Sequence, residues 1–246
     1  MSCQSSQQSI IKSSLTVESL QLIGKWLKRF NISLITETAL VITVVILAIK
    51  ISSADFFSEA QWLIKPGILV AAALIPIAIR KSEFPKIGLS TKHIGSTVLV
   101  VCQTCIVVFS ALFVGLWLLK YFGLGLPLQP VQPKEQGWIS WLFYQFMYVA
   151  VAEEVFFRGY VQSNLLRLIS PSKSSQHLWK WLVILLSAAC FAFVHIMIQG
   201  KVIFALTFIP GLILAWLFSR TKTLLAPILF HGLANTCYCI MAPTFA

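Results

Sequence analysis

Charge is what this sequence has least of. Only 11% of its 246 residues are Asp, Glu, Lys or Arg, where a soluble domain carries roughly a quarter, while 58% are hydrophobic and the mean hydropathy is +0.85. Those proportions exclude an ordinary soluble fold. The long apolar runs also lack the strict alternation of transmembrane β-strands, which excludes a barrel. An all-α, polytopic membrane helical bundle is left.

Other absences narrow the reading. The opening stretch, MSCQSSQQSIIKSSLTVESL, lacks the basic–apolar–small order of a cleaved signal peptide, so the first span is expected to act as the insertion signal. There is no internal repeat, and no low-complexity tract beyond that Ser/Gln-rich start. Cys102 and Cys105 form a CxxC in the middle of a span, with no second pair to complete a metal site. They and Cys190, Cys237 and Cys239 are read as small apolar packing residues. The last residues carry no lipidation box. A net charge of +11 invites a nucleic-acid reading, but the Lys and Arg fall between apolar runs and form no patch. The expected partner is a lipid bilayer, with no nucleic acid; nothing in the sequence speaks to oligomeric state.

What is present is a series of seven apolar spans, at about 33–51, 63–79, 94–122, 138–157, 181–199, 202–219 and 223–242. Residues 1–31 form a polar, then basic, N-terminal segment, and 32–137 form the first three spans and a Pro-rich connection. With the N-terminus in the cytoplasm, fourteen of the 19 Lys and Arg fall in inner segments, Arg158 among them, and five in outer ones. That orientation puts the stretch AEEVFFRG at the cytoplasmic end of span four.

Polar groups inside the spans are few and concentrate in the second half. Span four carries Glu153, Glu154 and Arg158, span five His195, and span seven His231 and Asn235. Ionisable groups at membrane depth cost several kcal/mol and face a polar interior, so groups on three helices are expected to share one wet cavity. Glu154 and Arg158 are four apart and can pair on one helix face. Glu153 is turned about 100° from Glu154 and is free to point elsewhere. Ser187, Phe191 and His195 line one stripe of span five, and His231 and Asn235 one stripe of span seven. A carboxylate and a histidine can polarise a water, and a histidine and an amide can donate to an oxyanion. Alternatively, Glu153, His195 and His231 could hold a divalent metal such as zinc. Plainer roles compete: a structural Glu154–Arg158 pair, and interhelical hydrogen bonds for each histidine. His93 and His177 are read as solvated loop residues. Glu37 is expected to snorkel or to pair with a nearby Lys or Arg.

The motifs resemble a known family. EEVFFR fits the EExxxR motif of the CPBP family, the CAAX proteases and bacteriocin-processing enzymes also called the Abi family, which includes the lysostaphin-resistance-A-like domains. Phe191 and His195 fit its FxxxH motif, and His231 and Asn235 its HxxxN motif. The resemblance covers about 138–242, read as the protease core, and 1–137 match only as generic spans. It implies an intramembrane endopeptidase acting on a membrane-associated, prenylated or leader-bearing peptide, or a lipidated protein. By position, Glu153 and His195 would activate water, His231 and Asn235 would stabilise the oxyanion, and Glu154 and Arg158 would support the site. The family has been described both as metal-dependent and as glutamate-type, and the chain has no HExxH. A prokaryotic plasma membrane is the expected location.

Two other classes compete. A non-catalytic immunity or scaffold protein could use the same fold, though such a protein is expected to lose a motif residue. A transporter would show paired halves and matching broken helices, which are not seen. One expectation sits badly with a shared site: the span boundaries place Glu153 about 8 Å, His231 about 12 Å and His195 about 20 Å from the inner surface, at 1.5 Å per residue.

Overall fold

The computed structural model describes residues 32–53, 61–80, 88, 94–124, 137–169 and 176–245. The N-terminal segment, His93 and most of the Pro-rich connection lie outside these. Apolar runs deprive the backbone of water, so each run satisfies its own N–H and C=O groups by coiling. Helix α1 is Ile32–Ser52, α2 Gln61–Ile79 and α3 Ile94–Tyr121. Helix α4 is a continuous 31-residue rod, 138–168, built of α-helical and π-helical turns. Helix α5 is Gln176–Gln199. A 3-10 stretch, Val202–Thr207, leads into α6, Phe208–Thr221, and α7 is Leu225–Phe245. No strand occurs among the described residues. All seven expected spans are present as helical rods.

Six of the rods carry apolar spans of 18 to 28 residues, enough to cross a bilayer. Large apolar side chains such as Leu99, Ile106, Val107, Phe113 and Trp117 on α3 point outward. Lipid, not water, is their solvent, and the protein is an integral multi-pass membrane protein. Pro66 and Pro76 sit inside α2, a placement membrane helices tolerate.

Two packed clusters hold the bundle. The larger joins α1, α2, α4 and α5 through Val45, Ile49, Ala73, Ile77, Phe156, Phe157, Tyr160 and Phe191. The smaller joins α3, α6 and α7 through Val101, Leu214, Leu217, Ala226 and Phe230. Glu37 on α1 pairs with Arg80 at the end of α2, as expected, and also accepts a hydrogen bond from Tyr160 on α4 at 2.9 Å.

The boundaries of span four differ from expectation. The rod does not stop near residue 157 but runs on through Gln162 and Asn164 to Leu168. AEEVFFRG is therefore central in its helix, with Glu153 fifteen residues from each end. The polar side chains that looked like a membrane boundary are internal. Gln162 donates to the Ala215 carbonyl at 3.0 Å and to Ser219 at 2.9 Å, and Asn164 donates to Thr38 at 3.1 Å. Arg158 is fully buried, so it is not an inner-loop charge, and thirteen inner Lys and Arg remain against five outer. The depth conflict shrinks with the longer rod. Measured from the ends at Leu168 and Gln176, Glu153 lies roughly 22 Å and His195 roughly 28 Å along their helices. Helix α7 starts inside the protein, where Leu224 is buried and its N–H donates to the Gly88 carbonyl at 2.8 Å. His177, expected in a loop, is in the first turn of α5, exposed and edge-on to Trp181.

One close approach fixes how α4 meets α7. A Cβ placed on Gly232 would fall 2.4 Å from the Phe146 ring. Gly232→Val is expected to cost about 1–3 kcal/mol through overpacking. The check is thermal denaturation in detergent, with Phe146→Ala in the same chain recovering most of the loss.

Candidate active site

Three rods deliver the site. Glu153 and Glu154 occupy a single α-helical stretch, Val151–Glu154, between two π-helical segments of α4, Tyr144–Ala150 and Val155–Gln162. π-Helical turns are frequent at functional sites. Adjacent in sequence, the two glutamates look in different directions. Glu154 and Arg158 are completely buried, whereas the side chains of Glu153 and His195 are 19% and 22% exposed. Only Glu153 of the two glutamates can be reached from outside.

Glu154 is the hub of the buried part. Its Oε1 accepts from Arg158 Nη1 at 3.0 Å and from His231 Nδ1 at 2.7 Å. Arg158 also donates through Nη2 to the Gly211 carbonyl on α6 at 3.2 Å, and its guanidinium lies over the Phe191 ring at 4.7 Å. A Cβ on Gly211 would press on Phe191 at 3.3 Å, which explains why glycine stands there. Phe191 works twice, since its ring packs against Arg158 and against His195, and its carbonyl accepts from His195 Nδ1 at 2.9 Å. The stripe on α5 faces α4 as its spacing predicts, with Ser187 donating to Gln162 at 3.3 Å.

These bonds set the histidine tautomers. A carbonyl and a carboxylate oxygen only accept, so both Nδ1 atoms carry the proton, and each neutral ring is left with an Nε2 lone pair. Both Nε2 atoms lie 3.9 Å from Glu153 Oε2. That oxygen is buried and has no hydrogen-bond partner among the described residues. With both rings neutral, three lone-pair atoms would face one another with no donor between them. A proton-bearing or cationic species belongs in the gap.

The spacing distinguishes the occupants. A water about 2.8 Å from two atoms that are 3.9 Å apart subtends roughly 90°, close to its tetrahedral preference. A zinc ion at about 2.1 Å from the same two atoms would subtend roughly 140°, well beyond a tetrahedral angle. Among the described residues no three His, Cys, Asp or Glu side chains converge as a metal cluster. The donor types match zinc but the spacing does not. A metal would need these side chains to close in, and a water would not.

Asn235 lies one turn beyond His231 on α7 and points at α4, donating through Nδ2 to Gln145 Oε1 at 3.0 Å. Glu153, Glu154, Arg158, His195 and His231 thus meet directly, and Asn235 borders them through an amide that the motif reading missed. Its sequence signal was present: Gln145 is the one amide in the apolar run WLFYQFMYVAVA, eight residues before Glu153.

Neither the curated proteins nor the solved structures gave a match. A family model did, over residues 135–237, described as type II CAAX prenyl endopeptidase Rce1-like. The matched segment spans α4 to most of α7 and holds each of these side chains. Over residues 135–237, the chain is similar to the Rce1-like family of type II CAAX prenyl endopeptidases.

Proposed function

We propose that this protein is an intramembrane endopeptidase in which Glu153 and His195 activate the attacking water. The observation that carries this reading is the facing trio of Glu153 Oε2, His195 Nε2 and His231 Nε2, with Oε2 lacking a hydrogen-bond partner among the described residues. A water bound there donates to two of the lone pairs. It attacks the scissile carbonyl carbon while its proton passes to the Glu153–His195 pair. His231 and Asn235 stabilise the oxyanion. For that, His231 Nε2 must carry a proton while Nδ1 stays bonded to Glu154, so His231 acts as an imidazolium. Charge balance favours this form: two carboxylates and one guanidinium leave one negative charge, which a single imidazolium neutralises. The tetrahedral intermediate then collapses, the C–N bond breaks, and the departing amine takes the proton held by Glu153 and His195. The products are a new carboxylate and a new amine.

Glu154 and Arg158 hold His231 and do not touch substrate. No step requires a metal. The substrate is a membrane-associated peptide, prenylated or leader-bearing, reaching the site from the cytoplasmic side of a prokaryotic plasma membrane. The uneven split of Lys and Arg between alternate connecting segments supports a cytoplasmic N-terminus.

Comparing host membranes carrying the wild type or His195→Ala tests the reading, with and without a chelator, by mass spectrometry of processed peptides. The expected result is a set of truncated peptides that vanishes with the variant and survives chelation. Unchanged peptides with a folded variant would make the protein a binding or immunity component. Peptides lost on chelation would restore the metal.

A further inference from the structure

Outside the water-binding trio, Asn235 on α7 is bonded to Gln145 on α4. We infer that Gln145 is a positioning residue, which sets the orientation of the Asn235 amide so that an N–H, and not the carbonyl oxygen, is presented to the oxyanion. This rests on the endopeptidase reading above.

An asparagine amide has two faces of opposite character, two donors on Nδ2 and an acceptor on Oδ1. A half-turn of the terminal torsion exchanges them. Near an oxyanion the two orientations are far from equivalent, because one stabilises the developing charge and the other repels it. Asn235 Nδ2 spends one of its hydrogens on Gln145 Oε1 at 3.0 Å. The second N–H of the same nitrogen has no partner among the described residues, and the acceptor is turned away from Gln145. A flipped Asn235 would set its oxygen against the oxygen of Gln145 unless both amides turned together, which an acceptor-only side chain at 145 prevents.

The backbone makes this reach feasible. Asparagine is short, so α4 and α7 must run close at this level, and they do. Gly232, next to His231, has no side chain, and Phe146, next to Gln145, fills the place where a Cβ would be, at 2.4 Å. Gln145 itself sits on the π-helical turn Tyr144–Ala150, which leads directly into the stretch that bears Glu153. One rod thus supplies both the water-activating carboxylate and the residue that aims the oxyanion donor on the facing rod.

The test uses the full-length protein in proteoliposomes and a quenched fluorogenic peptide whose farnesylated cysteine is followed by three residues. Gln145→Met keeps the length and removes the hydrogen bond. Its kcat is expected to fall about 10- to 30-fold with KM nearly unchanged, the signature of an interaction made in the transition state. Gln145→Glu can only accept from Asn235, and so is expected to retain more activity than Gln145→Met. In an Asn235→Ala background, Gln145→Met is expected to cost nothing further, because both changes remove the same donor. Equal losses in both backgrounds, or Gln145→Met at wild-type kcat, would overturn the assignment and leave Gln145 a packing residue. A folded wild type that cuts neither this peptide nor any host peptide lost with His195→Ala would instead overturn the endopeptidase reading, and this role with it.

Discussion

Glu153→Gln is expected to abolish peptide cleavage while leaving a protein at least as stable as the wild type. The chemical half follows from the proposed role of Glu153 as proton acceptor. An amide cannot take the water's proton, and general-base catalysis of this kind is worth about 10²–10⁴-fold, so kcat should fall by about 10³-fold. The stability half follows from geometry. In the wild type Glu153 Oε2 is buried without a hydrogen-bond partner among the described residues and faces two Nε2 atoms at 3.9 Å. A glutamine leaves one carboxylate against one guanidinium, so His231 is neutral in the variant, and the new NH2 group donates to the Nε2 lone pairs, gaining about 1 kcal/mol. Sites tuned for chemistry commonly carry such a cost. Purified variants in detergent would be compared by single-turnover cleavage and by thermal denaturation. A variant that unfolds sooner than the wild type would mean that Glu153 is a structural carboxylate.

The largest effect on stability is expected at Arg158. Its guanidinium is fully buried and supplies a donor to Glu154, a donor to the Gly211 carbonyl, and a face to Phe191. Arg158→Leu strips the cation from Glu154, whose carboxylate has no exposure at all. Breaking a buried pair from one side costs about 3–5 kcal/mol, because the remaining charge is uncompensated. Arg158→Lys is expected to rescue little, since an ammonium cannot form the fork that reaches both Glu154 and Gly211. The double variant Arg158→Leu with Glu154→Leu is expected to regain much of the stability but no activity, because His231 Nδ1 loses its acceptor. Thermal denaturation of the wild type, Arg158→Leu, Glu154→Leu and the double variant closes the cycle. If the single and double variants are equally unstable, the pair is not the source of the loss.

Much of this protein was open to reading from its residues alone. The apolar runs required helices, because a backbone without water must bond to itself. Seven rods and the multi-pass membrane class followed. The i,i+4 spacing required Glu154 and Arg158 to share a face, and they pair at 3.0 Å. The stripe of Ser187, Phe191 and His195 likewise faces α4. What misled the reading was hydropathy at the end of span four. Charged and amide side chains there resembled a boundary with water. Hydropathy measures what a side chain prefers in solvent, and it does not see the partners a fold supplies. Arg158, Gln162 and Asn164 find theirs on other helices.

Only the tertiary structure decided the rest. Glu154 sits adjacent to Glu153 in sequence, yet it is sealed while its neighbour is open, because helix rotation turns one toward α7 and Arg158 and the other toward the gap. The histidine tautomers depend on the Phe191 carbonyl and on Glu154, and spacing along α5 and α7 says nothing of the bond from His231 to another rod. Gln145 acquires a role only when α7 comes near, which a missing side chain at Gly232 permits. The sequence by itself determined which groups are too polar to face lipid. Which of them meet, and which atom of each is left with a lone pair, depended on contacts between rods far apart in the chain.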